Sequence, residues 1–576
     1  MKHLSALIGA VFGVSLISSA LAQDSQFEGE LLTAPGPAAV EQQPLSSTSP
    51  TLAGVLPQAE GGLGLDLWQN TTAAQISGLL GGINIEQLSP ASQSTLSRLL
   101  LSESHPPADA TQEFLSIRLS LLARMGELPG VAALSERALT AANPPGLAEG
   151  MVSAHLMDGG LNAACETISK LSAEEKQGTH WARLEAVCHE REGRSMQAEL
   201  SLEIGADTSE PDPLFDALYL ALGGHNTRPI LPTGAAQQHP FSAALHLALI
   251  REIGLDPSIA GASPDDKISL RTIIRSKGAP LDQRILAAEK AITLGQIFAD
   301  ELANLYALTQ SGLNVDGQSG VEVSADLQAA AIQHQKVKAA QPGRDKATAI
   351  ATALASAQNR GQFTAAAYLY ADDIRGLTSG AANKVDTAII ARALLNIGAF
   401  LEAKPWFMVT YQSARDRVPG SFEQLGTVWP LIAMAGEGTA PRGIQRLAGG
   451  WLTSLDVRED EARRKQATLL FTLLEGYARP VEEKLWDELL PIRNTATAES
   501  TTNHLVDQTL WRGMEAAAAH GNRGKAITLM LRGLSEAPLQ DHHPAYLASA
   551  VGILTALGLE AEGHKLAVEA LIAAGF

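Results

Sequence analysis

The sequence predicts an all-α fold built from helical hairpins, and three observations support this. Gly126, Gly159 and Gly193 lie 33 and 34 residues apart, each between two segments whose apolar residues recur every three or four positions. Alanine and leucine are abundant, whereas aromatic residues make up only 5% of the chain. No long segment alternates apolar and polar residues as a half-buried strand does.

The first hairpin shows how each unit is read. Phe114, Ile117 and Leu121 are spaced by three and four residues, which places them on one face of a helix. Gly126 then follows, and glycine readily takes the left-handed conformation that ends a helix. Pro129 fits the first turn of the next helix, where the missing N–H is not needed. The segments around Gly159 and Gly193 repeat this arrangement.

Further units follow with looser spacing. One pair surrounds Gly361 and Gly398 and another surrounds Gly521 and Gly558, with 37 residues between the glycines of each pair. The units resemble tetratricopeptide-type and Sel1-like helix hairpins in their glycine and small-residue pattern. This resemblance covers about half of the chain and implies a solenoid that binds proteins or peptides, without assigning particular residues. At 576 residues, either one extended solenoid or two helical lobes is expected.

The N-terminus indicates export. Lys2 precedes an apolar run from Leu4 to Ile17, and the residues up to Ala22 offer an A-x-A cleavage site. This is typical of a bacterial signal peptide, so we expect cleavage after Ala22 and a periplasmic mature chain without a membrane-inserted segment. The alternative is an uncleaved anchor, because Leu4 to Ala22 is just long enough to span a bilayer.

Composition sets the expected domain boundaries. Residues 1–22 are the signal peptide, and residues 23–60 are a disordered linker rich in Pro, Ser and Ala. Residues 61–310 and 325–576 form two helical-repeat regions, and residues 311–324 link them. Within that linker Asn314, Asp316 and Gly317 faintly resemble a calcium loop, but its alternating acidic ligands and terminal glutamate are missing.

The two cysteines give the most specific local prediction, which is a disulfide. Cys165 and Cys188 lie on successive predicted helices, and the midpoint between them falls in the expected turn. An antiparallel hairpin would bring them side by side, and an oxidising periplasm would then form a disulfide. The alternative is a pair of unlinked, buried thiols.

Catalytic and metal-binding patterns are missing from the sequence. It contains no nucleophile elbow, zinc-protease motif, phosphate loop or dinucleotide fingerprint. Cys188, His189 and Glu190 are consecutive, so they point in different directions from a helix and do not form a nucleophile and base pair. Asp541, His542 and His543 precede a proline and are interpreted as a helix start. We therefore expect no catalytic residues, no metal and no cofactor.

The net charge limits the classes of partner that the chain is expected to bind. The formal net charge is −19, and loss of residues 1–22 removes Lys2 and no acid, which leaves −20. Nucleic acid and anionic lipid are poor partners because no basic stripe neutralises their phosphates. The sequence therefore predicts a periplasmic scaffold or adaptor that binds a protein or peptide in an envelope assembly, such as a secretion, cell-wall or motility machine.

The alternative function is an envelope enzyme or a protein that binds peptidoglycan or another sugar. Only one group of aromatic residues is available to stack on sugar rings, namely Trp406, Trp429, Trp451 and Trp486. Core packing is the favoured interpretation of these four side chains.

Overall fold

The computed structural model describes residues 54–142, 147–172, 176, 179–206, 211–224, 240–311, 323–384, 386–435, 441–454, 461–490 and 503–576. Three predicted segments lie wholly or mostly outside these residues: the signal peptide, the linker 23–60 and the linker 311–324. The same holds for Asn314, Asp316 and Gly317.

The described residues form 26 α-helices and no β-strand, which confirms the predicted all-α class. None of these helices is both long enough and apolar enough to cross a membrane. The helices are α1 (Ala73–Gly81), α2 (Pro90–Leu101), α3 (Gln112–Arg124), α4 (Leu128–Ala142), α5 (Leu147–Asp158), α6 (Leu161–Lys170), α7 (Thr179–Arg191), α8 (Ser195–Ala206), α9 (Pro213–Leu222), α10 (Pro240–Glu252), α11 (Leu270–Arg275), α12 (Leu281–Thr293), α13 (Ala299–Ser311), α14 (Ala325–Ala339), α15 (Arg344–Asn359), α16 (Phe363–Arg375), α17 (Thr387–Asn396), α18 (Phe400–Arg415), α19 (Ser421–Met434), α20 (Pro441–Ser454), α21 (Glu461–Gly476), α22 (Glu483–Asp487), α23 (Gln508–Ala519), α24 (Arg523–Leu534), α25 (Pro544–Ala556) and α26 (Glu560–Ala573).

Glycine turns join many of these helices into hairpins. The seven glycines predicted to mark hairpins each lie between two consecutive helices with a positive φ: Gly126, Gly159, Gly193, Gly361, Gly398, Gly521 and Gly558. At Gly126 the N–H donates to the carbonyl of Ala123, and the next N–H, of Glu127, donates to that of Leu122. This is the Schellman arrangement, which satisfies carbonyls left free at a helix end.

The two predicted helical regions share one hydrophobic core. Tyr306 on α13 lies 5.7 Å from the ring of His334 on α14, across the predicted linker. Arg360, at the end of α15, donates to the carboxylate of Glu289 on α12 at 2.9 Å. Residues on both sides of the linker therefore stabilise each other.

Residues 55 and 56, which precede α1, contact the end of α2. The N–H groups of Val55 and Leu56 both donate to the carbonyl of Leu101, at 2.9 and 2.8 Å. These backbone contacts hold residues 55 and 56 against the end of α2, directly before a short 3-10 helix at Gln58–Glu60.

The first described segment packs against the last helices. The N–H of Gly524 in α24 donates to the carbonyl of Leu67 at 2.9 Å, and Arg98 of α2 pairs with Glu562 of α26. The carboxylate of Glu569 in α26 accepts from the N–H of Ala91, in the first turn of α2, at 2.9 Å. We call this contact between residues 54–101 and 503–576 the terminal seam.

Gly524→Ala is expected to disrupt the terminal seam. An added Cβ would lie 2.4 Å from the carbonyl oxygen of Leu67 and 2.6 Å from Cε3 of Trp68. We expect overpacking to lower the free energy of unfolding by about 1–3 kcal/mol in chemical denaturation. The control is Gly150→Ala in α5, where an added Cβ meets nothing within 4 Å. An equal effect of the two changes would contradict the close approach.

The seam also predicts a pH dependence. Burial raises the pKa of the Glu569 carboxyl from 4.5 to about 7, although hydrogen bonds from Ser89 and Ala91 oppose the shift. The folded chain therefore keeps this proton over a range where the unfolded chain has lost it. Stability contributed by the protonated form is complete below pH 4.5 and is lost as the pH rises to about 7.

We expect Glu569→Gln to remove this dependence. Relative to the variant, the wild-type free energy of unfolding should fall by about 1–3 kcal/mol between pH 5 and pH 8. Denaturant titrations at the two pH values measure the difference. Parallel pH profiles for the two proteins would show that this carboxyl does not titrate as stated.

Candidate docking groove

A surface groove of about 720 Å3 opens between α13, α16 and the turn from α17 to α18. Phe298 immediately precedes α13, so its side chain stands at the start of that helix. Tyr368, Asp372 and Arg375 follow the i, i+4, i+7 spacing of one face of α16. Glu402 lies in the first turn of α18. Residues from three places in the chain therefore meet here.

Large apolar side chains are exposed at this groove. Phe298 lines it and is 81% exposed, and Tyr368 is also exposed. Leu401, the neighbour of Glu402 in sequence, is 71% exposed. Two exposed aromatic side chains that line one groove make this surface a candidate interaction site.

The groove is acidic. Asp300, Asp372 and Glu402 line it together with a single cation, Arg375. Arg375 donates to Asp372 at 2.6 Å and to both oxygens of Glu402 at 3.1 Å, and these bonds raise its pKa. Three carboxylates facing one guanidinium leave a net negative charge, which attracts a cationic segment and is screened by salt.

The turn at Gly398 fixes one wall of the groove. Gly398 has φ +77°, and an added Cβ would lie 2.7 Å from Cε of Lys565 on α26. The turn and α26 therefore approach closely because this residue has no side chain. Ile397 and Ala399 of the same turn also line the groove.

A second, larger cleft of about 1050 Å3 lies beside α19, α20, α21 and the last two residues. The rings of Trp451 and Phe576 line it and stack at 5.6 Å, and Phe422 lines it with half of its surface exposed. Trp429 packs edge-on against Trp451 at 5.9 Å. We call this concavity the aromatic cleft.

The four predicted tryptophans do not form one cluster. Trp406, Trp429 and Trp451 are all buried, as expected for core packing. Trp486 is half-buried and donates to Glu475 at 3.1 Å. Of the four, only Trp451 lines the aromatic cleft.

The two cysteines lie at disulfide distance. Cys165 on α6 and Cys188 on α7 have sulfurs 2.02 Å apart and Cα atoms 5.6 Å apart. The sulfur of Cys188 is therefore bonded and does not act beside His189 and Glu190. Burial lowers the pKa of His189.

Loss of the disulfide is expected to destabilise the chain. The bridge spans 23 positions in sequence, and closing a loop of this size contributes about 3 kcal/mol in the chain-entropy model. The Cys165→Ala, Cys188→Ala double variant should lose about this much in denaturant titrations, as should reduced wild type. Wild type that is equally stable with and without reductant would contradict a structural role for the bridge.

Of the two histidines before α25, His543 caps the start of the helix. His543 precedes Pro544, and its Nδ1 accepts from the N–H of Ala545 at 3.2 Å, which confirms the predicted helix start. His542 is buried with Nε2 near the carbonyls of Leu534 and Ala537. Across the described residues, no group of three or more His, Cys, Asp or Glu side chains is placed to hold a metal ion.

No protein-family model, curated protein or solved structure matches this chain.

The sequence alone did not indicate the groove residues, since Phe298, Tyr368 and Arg375 belong to no motif. The available signal is local: Phe298 stands directly before a helix that begins with acidic residues, where an apolar side chain has no helical face to join.

Proposed function

We propose that the mature chain is a periplasmic helical scaffold or adaptor that docks a protein or peptide of an envelope assembly, such as a secretion, cell-wall or motility machine. The proposal includes tetratricopeptide-like stacking of the hairpins and assigns no catalytic step. Export rests on the signal-peptide pattern of residues 1–22, which lie outside the described residues.

The observation that carries the proposal is the exposed Phe298 inside an acidic groove. An apolar anchor of the partner would pack on Phe298 and Tyr368, where burial of aromatic surface contributes most of the affinity. Lysine or arginine residues of the same partner would face Asp300, Asp372 and Glu402. The groove therefore fits a short basic segment with one or two large apolar residues.

A capture experiment tests this function. Residues 23–576 serve as bait against an envelope extract, in parallel with the Phe298→Asp, Leu401→Asp double variant. Point variants are preferred to deletion of 325–576, because both helical regions share one core. We expect a protein that wild type retains, the variant loses and salt releases.

A different outcome would favour the alternative. If wild type retains no protein while the purified chain turns over peptidoglycan or another envelope substrate, the scaffold proposal fails. Equal retention by wild type and the groove variant would move the docking site away from the groove.

A second candidate function, saccharide binding, is favoured by the aromatic cleft. Sugar rings commonly pack on exposed aromatic faces, and Phe422 lines this cleft with half of its surface exposed, beside the buried rings of Trp451 and Phe576. Thr427, Glu423 and Gln466 supply polar groups beside these rings. Soluble peptidoglycan fragments should then bind wild type and not Phe422→Ala in calorimetry, and binding by neither protein would exclude this site.

A further inference from the structure

The outer face of α8 is apolar and uncovered in the described residues. Met196, Leu200 and Ile204 follow an i, i+4, i+8 spacing, which places them in one stripe along the helix. Their exposed fractions are 85%, 55% and 72%. We call these three residues the α8 stripe.

The opposite face of α8 already has a partner. Ala198 and Ser201 are buried, and α7 is the only described helix with extensive contacts to α8. Helix α8 therefore packs on α7 with one side and exposes an apolar stripe on the other, and a stripe of this kind normally faces a packing partner. The stripe does not serve the contact with α7.

The hairpin that carries α8 is firmly held. The disulfide joins α7 to α6, and Arg191 at the end of α7 pairs with Glu252 of α10 at 3.2 Å. The ring of Trp181 on α7 also lies 5.1 Å from that of Phe241 on α10. Helix α7, on which α8 packs, is therefore anchored to α6 and α10, and this anchors the hairpin that presents the stripe.

The charges beside the stripe are acidic. Glu199 and Glu203 are exposed along one flank, and among the described residues neither forms an ion pair. On a helical wheel the other flank is Gln197, which is uncharged. A partner with apolar residues facing the stripe and cations facing Glu199 and Glu203 would complement this surface.

We infer that the α8 stripe is a second docking surface, for a basic amphipathic helix of another protein. The flexible thioether of Met196 suits such a contact, because methionine adapts its shape to different helices.

A second copy of this chain is a less suitable partner for the stripe. If two α8 helices packed antiparallel about a two-fold axis, their acidic flanks would lie on the same side of the contact and repel each other. Each chain also carries a formal charge of −19, which opposes self-association.

A designed peptide tests the inference. The probe is a fluorescein-labelled, 18-residue peptide of leucine and lysine at helical spacing, titrated with residues 23–576 and followed by fluorescence anisotropy at low salt. We expect Leu200→Asp to weaken binding about tenfold or more, since it places a carboxylate at the centre of the stripe. Glu199→Lys with Glu203→Lys should weaken it as well.

Matched controls separate this surface from others. Leu505→Asp alters a leucine of similar exposure, 66%, outside the stripe, and should leave binding unchanged. A peptide with glutamate in place of lysine should bind at least about tenfold more weakly. Circular dichroism of each variant confirms that the fold is retained.

Three outcomes would overturn the inference. Binding that is lost in Phe298→Asp but kept in Leu200→Asp would place the peptide in the groove, which supports the proposed function and not this surface. Concentration-dependent dimers abolished by Leu200→Asp would assign the stripe to a second copy. Peptide binding seen only after residues 225–239 are replaced by a glycine-serine linker would assign it to that segment of the chain.

Discussion

Replacing Arg360 with leucine should lower the free energy of unfolding by about 3–5 kcal/mol. Glu289 is fully buried, and its Oε1 accepts from Arg360 at 2.9 Å and from the hydroxyl of Tyr306 at 2.6 Å. Its Oε2 has no hydrogen-bond partner among the described residues. Without Arg360 the chain would hold a buried carboxylate whose charge is no longer balanced.

A double-mutant cycle measures this effect. Glu289→Gln removes the charge and keeps the shape, so the Arg360→Leu, Glu289→Gln double variant should be more stable than Arg360→Leu alone. Denaturant titrations at pH 7 of the four proteins give the coupling. If Arg360→Leu costs less than about 1 kcal/mol, or if the two changes are additive, this pair does not link the two helical regions as described.

Replacing Phe298 with alanine should weaken partner binding about 30-fold or more without destabilising the chain. An exposed aromatic side chain contributes little to the core, whereas a central aromatic anchor commonly contributes at least about 2 kcal/mol to an interface. Glu402→Lys should weaken binding further and reduce its dependence on salt. Calorimetry with the captured partner measures both effects.

The control for the groove is Leu505→Ala, which removes a similarly exposed apolar side chain outside it. Its affinity should equal that of wild type. If Leu505→Ala and Phe298→Ala weaken binding alike, the partner responds to surface hydrophobicity in general and the groove has no special role.

Local features of the fold were predictable from the sequence. Phe114 and Leu121 are buried on α3 and Ile117 is half-buried, in line with their helical spacing. Gly126 and Gly398 end helices with positive φ because few other residues tolerate that conformation. These features depend on residues within about one helical turn, so a single sequence contains them.

Long-range contacts were not predictable. Glu569 and Ala91 are separated by 478 positions, and neither carries a local signal of its partner. The same holds for Arg360 and Glu289, which are 71 positions apart. The groove depends on such contacts too, because it forms only where α13, α16 and the turn at Gly398 meet. Apolar periodicity shows which face of a helix is buried but not which helix covers it.

The surface of α8 shows the limit of that periodicity. Met196, Leu200 and Ile204 have the spacing of a buried face, yet all three are exposed. Ala198, on the opposite side, is buried. A sequence pattern alone does not separate a face covered by the same chain from one left for a partner.

The most direct test of the docking proposal is site-specific photocross-linking in cells. A photoreactive phenylalanine analogue at position 401, the neighbour in sequence of the groove residue Glu402, is compared with the same analogue at position 505, in full-length chains produced in cells. The account predicts one discrete cross-linked protein from position 401 that is lost in Phe298→Asp and is missing from position 505. No cross-link from position 401, or the same product from both positions, would contradict the groove as the docking surface.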